Sequence, residues 1–154
     1  MTNLASYQKV MDEVMKSLGF EEYSLDDNHG VGFVFDEKVE VNQIYFEDSD
    51  TVLFVCYGME LSKENNESVY ARLLVANTGF NSTGGITLGI CEHSNRLTAS
   101  FQRGVDGISA SDVFSIYQAL ADICVIWSNE LDDDAKNSSC DKVHENTNEL
   151  TFSV

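Results

Sequence analysis

The spacing of apolar residues changes between helical and strand-like several times along this chain, and the order of those changes limits the folds open to it. From Leu4 to Leu18 the apolar residues recur every three or four positions, which places them along one stripe of an amphipathic helix. Gly19 follows directly and suits the left-handed backbone conformation at which many helices end. We therefore predict a first helix over residues 4–18.

Three strand-like segments come next, separated by short polar turns. Residues 31–35 are a short apolar run, residues 39–46 alternate between two faces, and residues 51–59 are β-branched and aromatic on both faces. A segment that is apolar on both faces is typical of a central strand. Because connections this short join antiparallel neighbours, the three segments predict successive hairpins.

The second half of the sequence repeats the alternation of helix and strand. We predict a second helix over residues 62–77, strands over residues 86–91 and 96–103, and a third helix over residues 109–131. Strands grouped in hairpins, with helices between the groups, favour an α+β fold over a parallel sheet. The predicted order is α-β-β-β-α-β-β-α, with a twisted antiparallel sheet packed by helices.

The character of the sequence changes after Leu131. Residues 132–154 are polar and aperiodic, with few large apolar groups before Leu150 and Phe152. We interpret residues 1–131 as one folded domain and residues 132–154 as an acidic polar C-terminal tail. The composition of this tail predicts that it is mobile.

Acidic residues outnumber basic residues by 26 to 9, which gives a formal net charge of −17. Such a surface repels the phosphates of nucleic acids and gains nothing from an anionic membrane. No stretch of the sequence approaches the roughly 18 apolar residues of a membrane span. We therefore expect neither nucleic acid nor membrane as a partner, and the acidity either keeps the protein soluble or attracts a basic partner.

The cysteines and the first residues favour a reducing cytoplasm. Cys56, Cys91 and Cys124 each lie inside an apolar run, where free cysteine behaves as a small hydrophobic residue. Asp12 and Glu13 interrupt the opening segment, which has helical periodicity and does not have the composition of a signal peptide.

The residues that carry chemistry in enzymes lack the spacing that such chemistry requires. Gly84 and Gly85 precede a strand, whereas a phosphate-binding loop follows a strand and opens onto a helix. His29, His93 and His144 form no metal-binding pair, and no G-x-S-x-G or C-x-x-C motif occurs. We predict no catalytic residue, metal or cofactor. An α+β domain that binds a small ligand or acts as an enzyme stays open, because Ser, His and Asp side chains distant in sequence can converge in space.

What remains is an excess of apolar residues. Three amphipathic helices and five strands carry more large apolar side chains than one sheet needs on one face. This excess favours surfaces left open for a partner or for a second copy of the chain.

Four blocks of sequence occur in the order and spacing of a known family. The blocks are Leu18-Gly19-Phe20, residues 25–30 leading into Phe33-Val34-Phe35-Asp36, residues 70–77 followed by residues 83–88, and a last helix with Phe114, Ala121, Trp127 and Leu131. With the small size and acidity of the chain, they resemble the class I type III secretion chaperones of bacteria, the Tir chaperone family. Glu21-Glu22 departs from the proline that many members have between the first helix and the sheet.

The resemblance implies a homodimer in the bacterial cytoplasm that needs no nucleotide or metal. The second helix of such a dimer packs near the two-fold axis, which here points to Val69, Tyr70, Leu73, Leu74 and Asn77. The N-terminal segment of a secreted effector is expected to wrap the dimer in extended form, partly by adding a strand to the sheet edge. Its apolar anchors are expected to enter pockets formed by Tyr7, Val10, Met11, Val14, Phe33, Phe35 and Ile44.

The resemblance also implies what the complex is for. The chaperone keeps the effector segment soluble and partly unfolded, and holds it ready for a secretion ATPase and a narrow export channel. Two alternatives stay open at this point: a regulatory chaperone that sequesters a transcriptional regulator of secretion genes, and the small-ligand or enzymatic domain described above.

Overall fold

Helices and strands follow one another in the predicted order. The structure is a computed structural model that describes residues 3–26, 29–35, 39–62, 66–80 and 83–145, with side chains described through residue 133, apart from that of Phe35. The elements are α1 (Asn3–Ser17), β1 (Gly30–Phe35), β2 (Val39–Phe46), β3 (Thr51–Glu60), α2 (Glu67–Asn77), β4 (Thr87–Ile90), β5 (Arg96–Gly104) and α3 (Ala110–Glu145), with a short 3-10 turn at Thr78–Phe80. The predicted α+β fold is confirmed.

The first helix ends where the sequence predicts. Gly19 adopts a φ of 86°, in the left-handed region that glycine occupies without strain. The N–H of Phe20 donates to the carbonyl oxygen of Met15 at 2.9 Å, and the N–H of Gly19 donates to that of Lys16 at 3.1 Å. These two bonds form a Schellman motif, which satisfies carbonyl groups at the helix end.

The five strands form one antiparallel sheet in the order β1-β2-β3-β5-β4. β1, β2 and β3 are consecutive hairpins, and α2 then carries the chain across so that β5, not β4, pairs with β3. Rows of cross-strand neighbours run across the sheet. In one row, Ile44 lies opposite Gly30 and Leu53, and Leu53 lies opposite Gln102. The edges of the sheet are β1 and β4.

The hydrophobic core lies between one face of the sheet and helices α1 and α3. Alternate residues of the strands point into it, and the fully buried ones include Val41, Val52, Phe54, Leu97 and Ala99. α3 covers β3 and β5 with a buried stripe at helical spacing, formed by Val113, Tyr117, Leu120, Cys124, Trp127 and Leu131. Since each large apolar side chain contributes roughly 1.5–3 kcal/mol on burial, this face of the sheet supplies most of the driving force for folding.

The opposite face of the sheet, called the open face below, is left uncovered by α1 and α3. β2 places Ile44 and Phe46 on it, and β3 places Leu53, Val55 and Tyr57 on it. Phe46 is exposed and the other four are only partly buried. The prediction that β3 is a central strand is confirmed, but only one of its two apolar faces is covered by helices.

The third helix is longer than predicted. The expected helix ends at Leu131 with the apolar spacing, whereas the observed helix continues to Glu145. Residues 132–145 contain no glycine or proline, so nothing in their sequence interrupts the backbone hydrogen bonds of the helix. Residues 146–154, the remainder of the predicted tail, lie outside the described residues, and the mobility of the tail stays a prediction.

Part of the third helix has a composition that the sequence reasoning did not expect. The segment Ala110–Asp133 is long and apolar enough to cross a membrane, judged by length and composition. Its apolar residues divide between the buried stripe and an outward side on which Val125 and Ile126 are about half exposed. A core helix that also carries an exposed apolar patch has the same length and apolar composition, so this composition is weak evidence for a membrane span.

Candidate protein-binding surfaces

The α1 residues predicted to contact an effector lie in the core. Tyr7, Met11 and Val14 are 0% exposed, because α1 buries them against the sheet and α3. The apolar stripe of α1 is therefore a core-facing stripe, and these side chains form no open pocket in this arrangement. Val10, at the margin of the stripe, is partly buried.

A buried polar network joins α1, the sheet and α3 at Gln43, whose side chain is almost fully buried. Its Nε2 donates to the hydroxyl oxygen of Tyr7 at 2.9 Å and contacts the Sδ of Met11 at 2.8 Å. The hydroxyl of Tyr117 donates to Oε1 of Gln43 at 2.6 Å. The alternation of β2 predicts that Gln43 points inward. Its partners Tyr7 and Tyr117 could not be predicted from local sequence, because they lie 36 and 74 residues away.

Burial keeps the tyrosines around Gln43 neutral. It raises the pKa of both Tyr7 and Tyr117 well above the ordinary value for tyrosine. Burial, followed by a hydrogen bond to Asp50 at 2.8 Å, raises the pKa of Tyr45 to about 12. Groups this weakly acidic exchange no protons near neutral pH, so the network is structural and offers no general acid or base.

The predicted binding residues of β1 and β2 are divided between the two faces of the sheet. Phe33 is partly buried on the core face and meets Tyr117 edge-on, with ring centroids 5.1 Å apart. Ile44 is partly buried on the open face. The side chain of Phe35 lies outside the described residues. The described members of the predicted set therefore do not share one surface.

At one edge of the sheet, the backbone of β4 is occupied by a side chain. Asn77 donates from Nδ2 to the carbonyl oxygen of Leu88 and accepts from the N–H of Leu88 through Oδ1, both at 2.8 Å. Asn77 was predicted to lie near a dimer axis, and the structure shows it bonded in the way that a neighbouring strand would be. It blocks the middle of this short edge to any further strand.

The other edge, β1, is open over most of its length. Oδ1 of Asp26 accepts from the N–H of Gly30 at 2.7 Å, and the backbone N–H of Asp26 donates to the carbonyl oxygen of Gly30 at 2.9 Å. By the alternation of antiparallel pairing, the next backbone groups that point away from β2 belong to Gly32 and Val34. Val34 is 61% exposed, and no strand among the described residues pairs with this side of β1.

A pocket of about 820 Å³ lies at one corner of the open face, beside the turn between β2 and β3, and is called the corner pocket below. Its apolar lining is Ile44, Phe46 and Leu53, of which Ile44 and Leu53 are direct cross-strand neighbours. Its acidic lining is Glu47 and Asp48. The remaining lining residues are His29, Tyr45, Ser49 and Gln102.

The second helix presents apolar side chains to solvent. Of the residues predicted near a dimer axis, Tyr70 and Leu74 are exposed, Val69 is partly buried and Leu73 is buried against the core. Val75, which the sequence reasoning did not single out, is 73% exposed, and Leu74 is 71% exposed.

A groove beside these residues separates α2 from α3. Its apolar lining is Ala71, Val75, Ala76, Ile123, Ile126 and Trp127. Arg72 borders it, with an ion pair to Glu130 at 2.9 Å and its guanidinium 5.6 Å from the centre of the Trp127 ring. The groove and the exposed side chains of α2 together are called the α2–α3 face below.

A family model decides which proteins this chain is related to. The model of the Tir chaperone protein (CesT) family matches residues 9–127, which is most of the chain. The chain belongs to the Tir chaperone family. No curated protein sequence matches this family member significantly.

Solved structures share the fold of this Tir chaperone family member. A chain of the ExsC–ExsE complex has a TM-score of 0.77 at 17% identity, over 85% of this chain and 97% of that chain. A chain of the HopA1–SchA chaperone–effector complex has a TM-score of 0.66 at 18% identity, over 82% and 95%. A chain of the complex between the Yersinia pestis type III secretion chaperone SycH and a stable fragment of YscM2 has a TM-score of 0.63 at 16% identity, over 79% and 98%. At these identities the likeness shows a shared fold.

Two of the cysteines are placed for packing. Cys56 and Cys124 are buried, and the Sγ of Cys124 lies 3.5 Å from the carbonyl oxygen of Cys56. Contact with Cys56 and burial raise the pKa of the Cys124 thiol, which makes it a poor nucleophile. Across the described part of this Tir chaperone family member, no three His, Cys, Asp or Glu side chains are grouped to hold a metal.

Proposed function

We propose that this family member is a type III secretion chaperone. It binds the N-terminal segment of a secreted effector, keeps that segment soluble and partly unfolded, and delivers it to the secretion apparatus. The match to the Tir chaperone family over residues 9–127 supports this function. The shared fold with chains from a chaperone–effector complex and from a complex of a type III secretion chaperone supports it as well.

The observation that carries the proposal is a sheet edge that no described strand pairs with beyond Gly30, beside an apolar face that α1 and α3 leave uncovered. An extended effector segment can bond to the outward backbone groups of Gly32 and Val34 as an added strand, about 4.8 Å from β1. Alternate side chains of that segment then lie over the open face, toward Ile44 and Leu53. Main-chain bonds supply affinity that is independent of sequence, and the apolar contacts supply selectivity.

This mode of binding explains how an effector stays partly unfolded. A segment bonded to β1 has its backbone groups and apolar side chains engaged, so it is unavailable to the effector's own fold. Fixing each backbone residue costs about 1–2 kcal/mol, which the new hydrogen bonds and apolar contacts offset only while the chaperone is present. Release therefore returns a flexible segment, as a narrow export channel requires.

The proposal includes a homodimer in the bacterial cytoplasm that hands its cargo to the secretion ATPase. Tyr70, Leu74 and Val75 are large apolar side chains exposed on one helix, and a second copy is the proposed cover for this part of the α2–α3 face. Each chain carries a formal charge of −17, so apolar contacts have to outweigh the repulsion between two copies.

Co-expression tests this function directly. The chain is produced together with a secreted protein encoded beside it, and the complex is analysed by size-exclusion chromatography with light scattering. We expect a stable complex of two chaperone chains with one effector chain, in which the effector N-terminal segment is protected from protease. If no neighbouring secreted protein co-purifies or gains protease resistance, the proposed function is wrong.

A further inference from the structure

The corner pocket combines an apolar surface with carboxylates. Ile44, Phe46 and Leu53 give it a surface that water solvates poorly, and Phe46 is 41% exposed. Glu47 and Asp48 follow Phe46 directly in the β2–β3 turn, so two carboxylates adjoin these apolar side chains.

No strong base among the described lining residues balances the negative charge of this pocket. None of its lining residues is Lys or Arg. Arg96, which lies on the open face, pairs with groups outside the pocket. It forms an ion pair with Glu40 at 2.7 Å and donates hydrogen bonds to the carbonyl oxygens of Tyr57 and Gly58. His29 contacts Glu47 through Nε2 at 3.1 Å, which leaves Asp48 as a further carboxylate in the lining.

The pocket also lies within reach of a strand added to β1. In the row of cross-strand neighbours that contains Ile44, the β1 residue is Gly30, which has no side chain. The carboxylate of Asp26 lies beside Gly30, 3.1 Å from where a Cβ would stand, and Asp26 bonds to both outward backbone groups of Gly30. An added strand therefore pairs at Gly32 and Val34, and a side chain of that strand reaches Ile44 diagonally from the Gly32 row, over ~12 Å.

We propose that the corner pocket recognises a basic–apolar motif in the bound segment. One large apolar side chain packs on Ile44, Phe46 and Leu53, and an adjacent Lys or Arg pairs with Glu47 and Asp48. This inference rests on the proposed function, in which the open face binds an extended segment of a secreted protein. It adds the chemical class of the anchor, since apolar contact is selected by surface area and the cation by the uncompensated carboxylates.

Because the partner sequence is unknown, the probe is a library of random dodecapeptides displayed on phage. Selection on the wild-type chain at about 50 mM salt, where surface charges are weakly screened, is expected to enrich peptides with a large apolar residue within two positions of Lys or Arg. Affinities of the enriched peptides are then measured by fluorescence anisotropy on the full chain.

Two sets of variants separate the two parts of the motif. Glu47→Gln with Asp48→Asn removes the charge of the pocket and is expected to weaken the enriched peptides about three- to tenfold at low salt, with less effect at about 500 mM. The matched control is Glu13→Gln with Glu92→Gln, which makes the same change of charge at two exposed carboxylates outside the pocket.

A second set removes the apolar part. Phe46→Ser is expected to weaken binding at both salt concentrations, and Leu53→Ser to do the same if its circular dichroism and unfolding midpoint match those of the parent. Phe46 lies at the exposed end of β2, so its replacement keeps the test valid even where the Leu53 variant fails to fold.

Each outcome of the selection decides the inference. Peptides with the motif that lose affinity in both variant sets support it. Enrichment of apolar peptides without basic residues, equal affinities in the pocket and control variants, or no enrichment at all overturns it. None of these failures touches the proposed function, which stands or falls on effector co-purification.

Discussion

The replacement Gln43→Leu tests whether the buried network holds α1 to the sheet. Leucine has a similar volume but cannot accept from the Tyr117 hydroxyl or donate to that of Tyr7, so two hydrogen bonds of 2.6 and 2.9 Å are lost in the core. Leaving a buried polar group without its partner costs about 1–3 kcal/mol. The apolar side chain recovers part of that cost, and we expect a net loss of about 2–4 kcal/mol.

This loss is large enough to measure with the protein's own fluorophore. Trp127, the single tryptophan of the chain, is buried against the core and reports unfolding in urea. For a chain of this size the loss corresponds to a fall in thermal midpoint of about 5–15 °C, compared at equal protein concentration. Gln102→Leu, at an exposed strand position, is the matched control and should change the midpoint little.

A cooperative network also predicts that the losses from its separate members do not add. Adding Tyr7→Phe and Tyr117→Phe to Gln43→Leu also removes the hydroxyls that Gln43 had bonded. The triple variant should therefore be more stable than Gln43→Leu alone, since replacing both partners of a buried bond is often nearly neutral. A Gln43→Leu variant as stable as the parent, or a triple variant that shows the plain sum of three separate losses, would refute a cooperative network.

Three further predictions concern the edge, the dimer and the tyrosines. Val34→Pro removes an outward N–H that β2 does not use. It should therefore lower the affinity for the co-purified effector about twofold to tenfold, measured by titration calorimetry, while Val34→Ala should not. Equal affinities of the two variants would rule out strand addition at β1. Leu74→Asp should convert the dimer to monomers in light scattering while Ser68→Asp on the same helix leaves it intact, and a surviving dimer would place the interface elsewhere. Burial raises the pKa of Tyr7 and Tyr117 in the folded state, so the stability they contribute is fully present below their unfolded pKa of about 10 and is lost as the pH rises above it. Ionisation of these two tyrosines, followed at ~295 nm, should therefore coincide with loss of circular dichroism. A native circular dichroism spectrum with every tyrosine ionised would contradict this prediction.

The order of elements could be predicted because each depends on local spacing. The stop at Gly19 needs only a glycine after an apolar stripe, and Gly19 adopts the expected left-handed conformation. The end of α3 could not be predicted, because the apolar spacing ends at Leu131 but the helix continues to Glu145. Backbone hydrogen bonding can extend a helix through polar residues that have no apolar spacing. Periodicity reports which residues are covered, and in α3 the covered part is shorter than the helix.

The candidate surfaces were harder to predict, because a sequence does not show what an apolar side chain faces. Met11 on α1 and Leu53 on β3 both belong to apolar patterns, yet the first is wholly buried and the second borders an open pocket. The difference depends on α3, which covers one face of the sheet from more than fifty residues away in sequence. The family resemblance identified the fold correctly, but it placed Tyr7, Met11 and Val14 on a surface that the chain keeps for its own core.

Asn77 has a consequence for how copies of this chain can assemble. A fibre built by strand pairing needs two free edges on every copy, so that each addition exposes a new place to add. Here the amide of Asn77 fills the β4 side, and only β1 stays available among the described residues. Two copies that met through β1 would use up both free edges and stop. The Asn77 side chain thus allows the protein to keep β1 open for its cargo, while assembly of copies by strand pairing stops at two copies.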